Sequence, residues 1–205
     1  MPVRVFVSLP AALFIALSAA AAVATPAPPT LDEAERKSLE AGEVLTKARV
    51  VQPHDATLAR AMGLIDAAPA EVWRHIDECQ HFKEFVPRVV ESDVLAREGE
   101  HIRFRSKVDM PFPLADIESE LKCRHRVYGG DIYERRWKGV SGPMKVNEGS
   151  WRIFPWPGGR TLVVYTARVA PEMKVPAKIR ALAQKATLPK TVLALRERAT
   201  SGKTP

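Results

Sequence analysis

Leu64-Ile65-Asp66-Ala67-Ala68-Pro69-Ala70-Glu71-Val72-Trp73-Arg74-His75-Ile76-Asp77, running on to Phe82-Lys83-Glu84-Phe85-Val86-Pro87, is the stretch from which the rest of the chain can be placed. It opens on a short apolar run suited to the end of a strand. Pro69 then fits the first turn of a helix, where its missing N–H would have no partner in any case. Val72, Trp73 and Ile76 recur at helical spacing, which predicts a helix over 69–78 with one apolar face. A second short helix or turn carries Phe82, Phe85 and Val86 and stops at Pro87.

Downstream the pattern changes to period two. Residues 89–97 read as a strand and Glu98-Gly99-Glu100 as a turn. Ile102, Phe104, Ser106, Val108 and Met110 then alternate with His101, Arg103, Arg105, Lys107 and Asp109, a strand with one buried and one wet face. The chain turns at Pro111-Phe112-Pro113-Leu114. Residues 116–128 alternate again, with Ile117, Leu121, Cys123, His125 and Val127 on one face and Asp116, Glu118, Glu120, Lys122 and Arg124 on the other. Folding the two strands symmetrically about Phe112 and Pro113 sets Val108 opposite Ile117 and Phe104 opposite Leu121. The same register sets Lys107 opposite Glu118 and Arg105 opposite Glu120, so apolar meets apolar and cation meets anion. An exposed ion pair is worth at most about 1 kcal/mol, so burial decides the register. The cationic stripe therefore reads as a solvated face rather than a nucleic-acid site.

Gly129-Gly130 makes the next turn, and residues 131–138 place Tyr133, Arg135 and Trp137 on one face. Two further strands, 145–154 and 161–169, are joined through Pro155-Trp156-Pro157-Gly158-Gly159; Gly149 is expected to allow a bulge. The chain ends in a helical pattern. Val175, Ile179, Leu182 and Ala186 share one stripe and Leu188, Val192 and Leu195 another, with Pro189 expected to kink or split the helix between them. Upstream of the anchor stretch, 57–66 reads as a strand and 43–51 as a peripheral one. Thr30-Leu31-Asp32-Glu33 reads as a capping box that starts a short helix, and Gly42 is placed to end it.

The Ile65-x-Ala67-x-Pro69-x-x-Val72-Trp73 step, the Phe82-x-x-Phe85-Val86-Pro87 turn, Gly149-x-Trp151-x-x-x-Pro155 and Thr161-x-x-x-Tyr165 together resemble the START-like superfamily (SRPBCC; polyketide cyclase/dehydrase, coenzyme Q-binding type). The resemblance covers residues 42–199. It implies an α+β helix-grip fold: a curved antiparallel β-sheet wrapped around a long C-terminal helix, with two short helices after the first main strand and an apolar cavity between. Such a scaffold hosts lipid carriers, hormone receptors and enzymes, so it speaks for fold more than for chemistry.

Length and composition agree with one domain. The chain has 205 residues, 46% of them hydrophobic and 27% charged, with a formal net charge of +7 and a pI of about 9.6. That charge favours acidic partners without choosing among them. The N-terminus is more telling. Arg4 precedes an almost uncharged, alanine-rich run over 5–23, and Ala22-Val23-Ala24 offers a cleavage site before Thr25. The expected organisation is a signal peptide over 1–24, a linker and short helix over 25–41, the START-like domain over 42–200 and a tail over 201–205. Export to the periplasm or outside the cell follows; an uncleaved membrane anchor is the alternative.

Enzyme signatures are scarce: the chain has no glycine-rich phosphate loop, no H-E-x-x-H and no G-x-S-x-G. Cys79 and Cys123 could form a disulfide in an exported chain. Cys79-Gln80-His81 and Cys123-Arg124-His125 carry zinc-ligand types without the spacing of a structural zinc site, so two buried thiols are expected and no metal or cofactor. The alternation turns His125, Tyr133, Arg135 and Trp137 inward, together with Phe104, Trp151 and Tyr165, and these are the candidate ligand-binding residues. The rings suit core packing equally well. Arg135 is sharper, because arginine is almost never buried unpaired. It would meet a ligand oxygen, an internal carboxylate or the open rim.

The leading expectation is a non-catalytic carrier of a hydrophobic small molecule, such as a lipid, an isoprenoid quinone or a polyketide-like aromatic. Lys174, Lys178, Arg180, Lys185 and Lys190 around the last helix could dock it on an anionic membrane; nucleic acid is not an expected partner. The alternative is a cyclase or aromatase-type enzyme, for which His125 and Tyr133 are the inward acid–base candidates.

Overall fold

The computed structural model describes residues 24–110, 115–172 and 177–202, and for 177–183 the backbone alone. Helix α1 (Glu33–Glu40) and strands β1 (Leu45–Val51) and β2 (Ala56–Ile65) precede helix α2 (Pro69–Asp77), a short 3-10 turn (Cys79–His81) and helix α3 (Phe82–Phe85). Strands β3 (Val89–Glu98), β4 (His101–Val108), β5 (Ile117–Tyr128), β6 (Ile132–Ser141), β7 (Met144–Trp156) and β8 (Arg160–Pro171) follow, and helix α4 (Ala177–Thr200) ends the fold. The signal-peptide reading falls on residues outside the described ones, as do the turn at 111–114 and the side chains of Val175, Ile179 and Leu182.

All eight strands form one antiparallel sheet in the order β1-β2-β8-β7-β6-β5-β4-β3. Helices α2 and α3 carry the chain from β2 to the far edge; successive hairpins then walk back until β8 pairs with β2. Helix α4 packs across β1 and β2 and touches α2 and α3. This is the helix grip. Its close approach depends on small residues: Ala59 and Ala61 are buried against Leu188 and Val192, and a Cβ at Gly63 would lie 2.9 Å from Val192. Arg196 clamps the contact by donating to the carbonyls of Leu64 at 2.8 Å and Gly42 at 2.9 Å.

The β4–β5 register is the one the alternation requires, with Val108 opposite Ile117, Phe104 opposite Leu121, Lys107 opposite Glu118 and Arg105 opposite Glu120. The ion pairs run differently. Arg105 reaches Asp93 on β3 at 3.0 Å, and Glu120 takes the Arg103 guanidinium. Burial set the pairing, and the long side chains then chose among several neighbours.

Five local expectations need correction. The capping box is Asp32 with Glu35, not Thr30 with Glu33. The Asp32 side chain accepts from the Glu35 N–H at 2.8 Å, the Glu35 carboxylate accepts from the Asp32 N–H at 3.3 Å, and the shift lets Leu39 bury fully. Gly149 makes no bulge, because it sits in unbroken register between Trp137 and Ala167. Val127 is 70% exposed, since the strand end that carries it runs beyond the packed layer. Ala186 is exposed. Pro189 does not split α4, which continues through it; Leu188, Val192 and Leu195 on either side are buried and hold the helix across the missing hydrogen bond.

The interior has two sides. The larger cluster lies on the inner face of the sheet beneath α2, α3 and α4. A second one, unforeseen from the sequence, lies on the outer face: Met62, Leu64, Phe154, Trp156, Leu162 and Val164 are covered by Leu39 of α1, and Arg36 stacks over Trp156 at 4.8 Å.

Candidate functional site

Antiparallel register places His125, Arg135, Trp151 and Tyr165 in one row across β5, β6, β7 and β8, all on the inner face. Arg135 is the centre of the site, at 3% exposure. Its guanidinium carbon lies 4.8 Å from the Phe82 ring, 5.2 Å from Phe104 and 5.7 Å from Trp137. Each ring face attracts the cation, and desolvation strengthens that attraction. Arg135 Nε donates to His125 Nε2 at 3.1 Å, and Arg135 Nη2 donates to Cys123 Sγ at 3.3 Å. Among the described residues no carboxylate pairs with it, and the segments outside them at 1–23, 111–114, 173–176 and 203–205, like the side chains of 177–183, include no Asp or Glu.

His125 explains part of this arrangement. Because its Nε2 accepts from Arg135, the ring proton belongs on Nδ1, which donates to Asp77 Oδ1 at 2.6 Å. Both ring nitrogens are thus committed. Burial lowers the His125 pKa to about 4, opposed by the hydrogen bond that it donates to Asp77 and reinforced by the Arg135 charge. Burial alone would raise the Asp77 carboxyl, but His125 and Arg97 outweigh it and hold it below the usual carboxylate range. Arg97 reaches Asp77 at 3.2 Å. The Asp77 charge is therefore shared between Arg97 and a neutral imidazole, and Arg135 keeps an unneutralised charge.

The rings form two groups. Tyr165 stacks on Trp151 at 4.2 Å and on Trp137 at 5.8 Å, and burial raises its hydroxyl pKa to about 12 against the pull of Arg135. Tyr133 instead stacks on Trp73 at 5.4 Å and sends its hydroxyl to Asp131 at 3.4 Å. The structure thus brings Phe104, His125 and Trp137 against Arg135, with Trp151 and Tyr165 beyond, and leaves Tyr133 to one side. Its hydroxyl does not meet His125; the Trp73 ring packs against both residues. Cys79 and Cys123 are free, buried thiols, and burial pushes the Cys79 thiol up.

Sequence reasoning missed Asp77, Phe82 and Cys123 as members of the site. Asp77 had one available signal: it lies one helical turn beyond Trp73, on the side of α2 that faces the sheet.

Acid should expose the buried imidazole. An unfolded chain protonates His125 near its ordinary value of 6.5, whereas the native chain waits until about 4. Within that window the unfolded state binds more protons. Stability is fully present above the upper limit and falls as pH drops toward the lower one, by about 3 kcal/mol in all. Denaturant melts at about pH 7 and about pH 4.5 should show the loss, and a His125→Gln protein should lose less. An acid-insensitive midpoint in the wild type would mean that His125 is charged in the native state.

The comparisons with known proteins agree with the fold. The family model described as polyketide cyclase / dehydrase and lipid transport matches residues 65–196. The chain is similar to the solved STAR-related lipid transfer protein from Xanthomonas axonopodis, at 17% identity and a TM-score of 0.67, over 76% of this chain and 93% of that one. It is similar to human StAR-related lipid transfer protein 5, at 12% identity and a TM-score of 0.67, over 78% and 83%. It is also similar to the Zhui aromatase/cyclase from a Streptomyces species, at 13% identity and a TM-score of 0.57, over 72% and 98%. Identities this low show a shared fold alone. No curated protein matches by sequence.

Proposed function

Because this chain belongs to the polyketide cyclase / dehydrase and lipid transport family, we propose that it is an exported, non-catalytic carrier that holds a hydrophobic small molecule between sheet and helix, with an oxygen of that molecule at Arg135. The observation that carries this reading is the buried guanidinium, which among the described residues has no carboxylate partner and is held by a neutral imidazole, a thiol and three rings. A buried charge without a counter-ion is expensive, and a ligand carboxylate or carbonyl would offset the cost. Lipids, isoprenoid quinones and polyketide-like aromatics offer such an oxygen on an apolar body that suits Trp137, Trp151 and Tyr165. The apolar run over 5–23 and the Ala22-Val23-Ala24 site support export to the periplasm or beyond. The basic charge supports peripheral contact with an anionic membrane rather than with nucleic acid.

The cyclase reading needs a free acid–base pair. His125 has both nitrogens engaged and Tyr133 points to Asp131, so the geometry favours binding over turnover.

Solvent extraction of purified protein with mass spectrometry should yield an apolar molecule carrying an acidic or carbonyl group. Arg135→Met should weaken binding of such a molecule by about 1.5–3 kcal/mol, the range for a charge-assisted hydrogen bond. Its melting temperature should hold or rise, since the substitution removes a buried charge without stranding a carboxylate. Unchanged affinity in the folded variant would remove Arg135 from the site, and turnover of the extracted molecule would favour the enzyme.

A further inference from the structure

The outer face of β4, β5 and β6 breaks a charge pattern that its surroundings keep. Asp93, Arg105 and Glu120 alternate in sign across β3, β4 and β5, and Arg126, Glu134 and Arg152 do so across β5, β6 and β7. Between them lie two rows that hold no acidic side chain on β4, β5 or β6. Arg103 stands opposite Lys122, which stands opposite Lys138; His101 stands opposite Arg124, which stands opposite Arg136. Adjacent strands are only about 4.8 Å apart, and like charges directly opposite each other cost stability.

Local carboxylates cancel this block only in part: Glu120 takes Arg103, and Glu148, opposite Lys138 on β7, is paired with Arg168. Glu100 is divided between Arg124 and Arg126, and Glu134 between Arg136 and Arg152. Among the described residues neither Lys122 nor Lys138 has an ion-pair partner, and both are exposed. A hollow of about 130 Å³ bordered by Arg124, Arg126, Tyr128, Glu134 and Arg136 lies on the same face.

We propose that this face, centred on Lys122 and Lys138, docks the protein on an anionic membrane surface. Charge complementarity requires an anionic partner, and a further feature favours a membrane over a nucleic acid. Of the rings of these strands, Phe104, Tyr133 and Trp137 are buried on the opposite face and Tyr128 alone, half-buried and donating to Glu134, borders the hollow, so the block has no row of rings on which successive bases could stack. The earlier expectation had placed docking on α4, whose Lys185 and Lys190 are exposed. Membrane docking here does not depend on Arg135 holding a ligand, and the two are read by different measurements.

The test is co-sedimentation of the protein as isolated with vesicles of phosphatidylcholine, alone or with one quarter phosphatidylglycerol. Binding should require phosphatidylglycerol and weaken as salt rises toward about 0.15 M. Lys122→Glu should bind the anionic vesicles at least about tenfold more weakly, because each basic residue near such a surface adds to the attraction. Its melting temperature should not fall, since the new carboxylate stands between Arg103 and Lys138. Lys190→Glu makes the same change in net charge on α4 and should bind within about twofold of wild type. Equal binding to both vesicle types, equal losses from Lys122→Glu and Lys190→Glu, or binding of a single-stranded oligonucleotide in preference to vesicles would each overturn the assignment.

Discussion

Trp73→Ala is expected to cost about 3–5 kcal/mol, the range for deleting a large buried ring. Domains of this size are stable by only about 5–15 kcal/mol, so the variant should melt far earlier. Trp73 is 8% exposed. It stacks on Tyr133 at 5.4 Å and meets His125 edge-on at 5.5 Å, so one side chain joins α2 to β5 and β6. Its loss would also let water reach the imidazole that separates Asp77 from Arg135. Calorimetric melts at neutral pH check the prediction, and an unchanged transition would place the ring at the surface. The acid sensitivity assigned to His125 should shrink in the same variant, because burial is the main cause of its low pKa.

Gly149→Ala should be comparably damaging, at about 3 kcal/mol or more, through overpacking rather than a cavity. A Cβ at that position would overlap the Thr166 carbonyl oxygen and the six-membered ring of Trp137. Backbone in a sheet ladder cannot retreat without breaking its own hydrogen bonds, so the Trp137 ring must leave. That ring lies over the Arg135 cation, stacks on Tyr165 and donates from its indole N–H to Asn147 Oδ1 at 3.2 Å. Destabilisation should therefore come with a damaged ligand site. Gly149→Ser should behave alike, whereas an alanine at exposed Gly129, which meets nothing within 4 Å, should fold normally. A Gly149→Ala protein with a wild-type melt and wild-type tryptophan fluorescence would mean that Trp137 lies elsewhere.

The proposed ligand site and the proposed docking face lie on opposite faces of the same strands. Alternate residues of β6 belong to the two: Arg135 and Trp137 face the interior candidate site, and Arg136 and Lys138 face out. A carrier built this way could rest on a membrane without covering its cargo, and the two sets of variants should separate the activities.

Much of this was legible before any tertiary contact was known, because a strand's period of two and a helix's period of 3.6 report which face of each element is buried. The alternation over 101–110 and 116–128 was sufficient to pair Phe104 with Leu121 and Arg105 with Glu120. It also turned His125 and Arg135 inward, and the motifs from Ile65 to Pro87 pointed to the helix grip. Periodicity does not say which distant segments meet. Whether Arg135 would find a carboxylate depended on α2 crossing to the far half of the sheet, which sets Asp77 beside His125 and leaves the guanidinium to Phe82, Phe104 and a thiol. The role of Gly149 likewise required the Trp137 ring above it, since nothing local separates a bulge glycine from one that yields space. The second core under α1 and the run of like charges through Lys122 and Lys138 exist only once strands are side by side. Each residue's own alternation determines the face it takes, and sheet order alone determines the neighbours that give that face its chemistry.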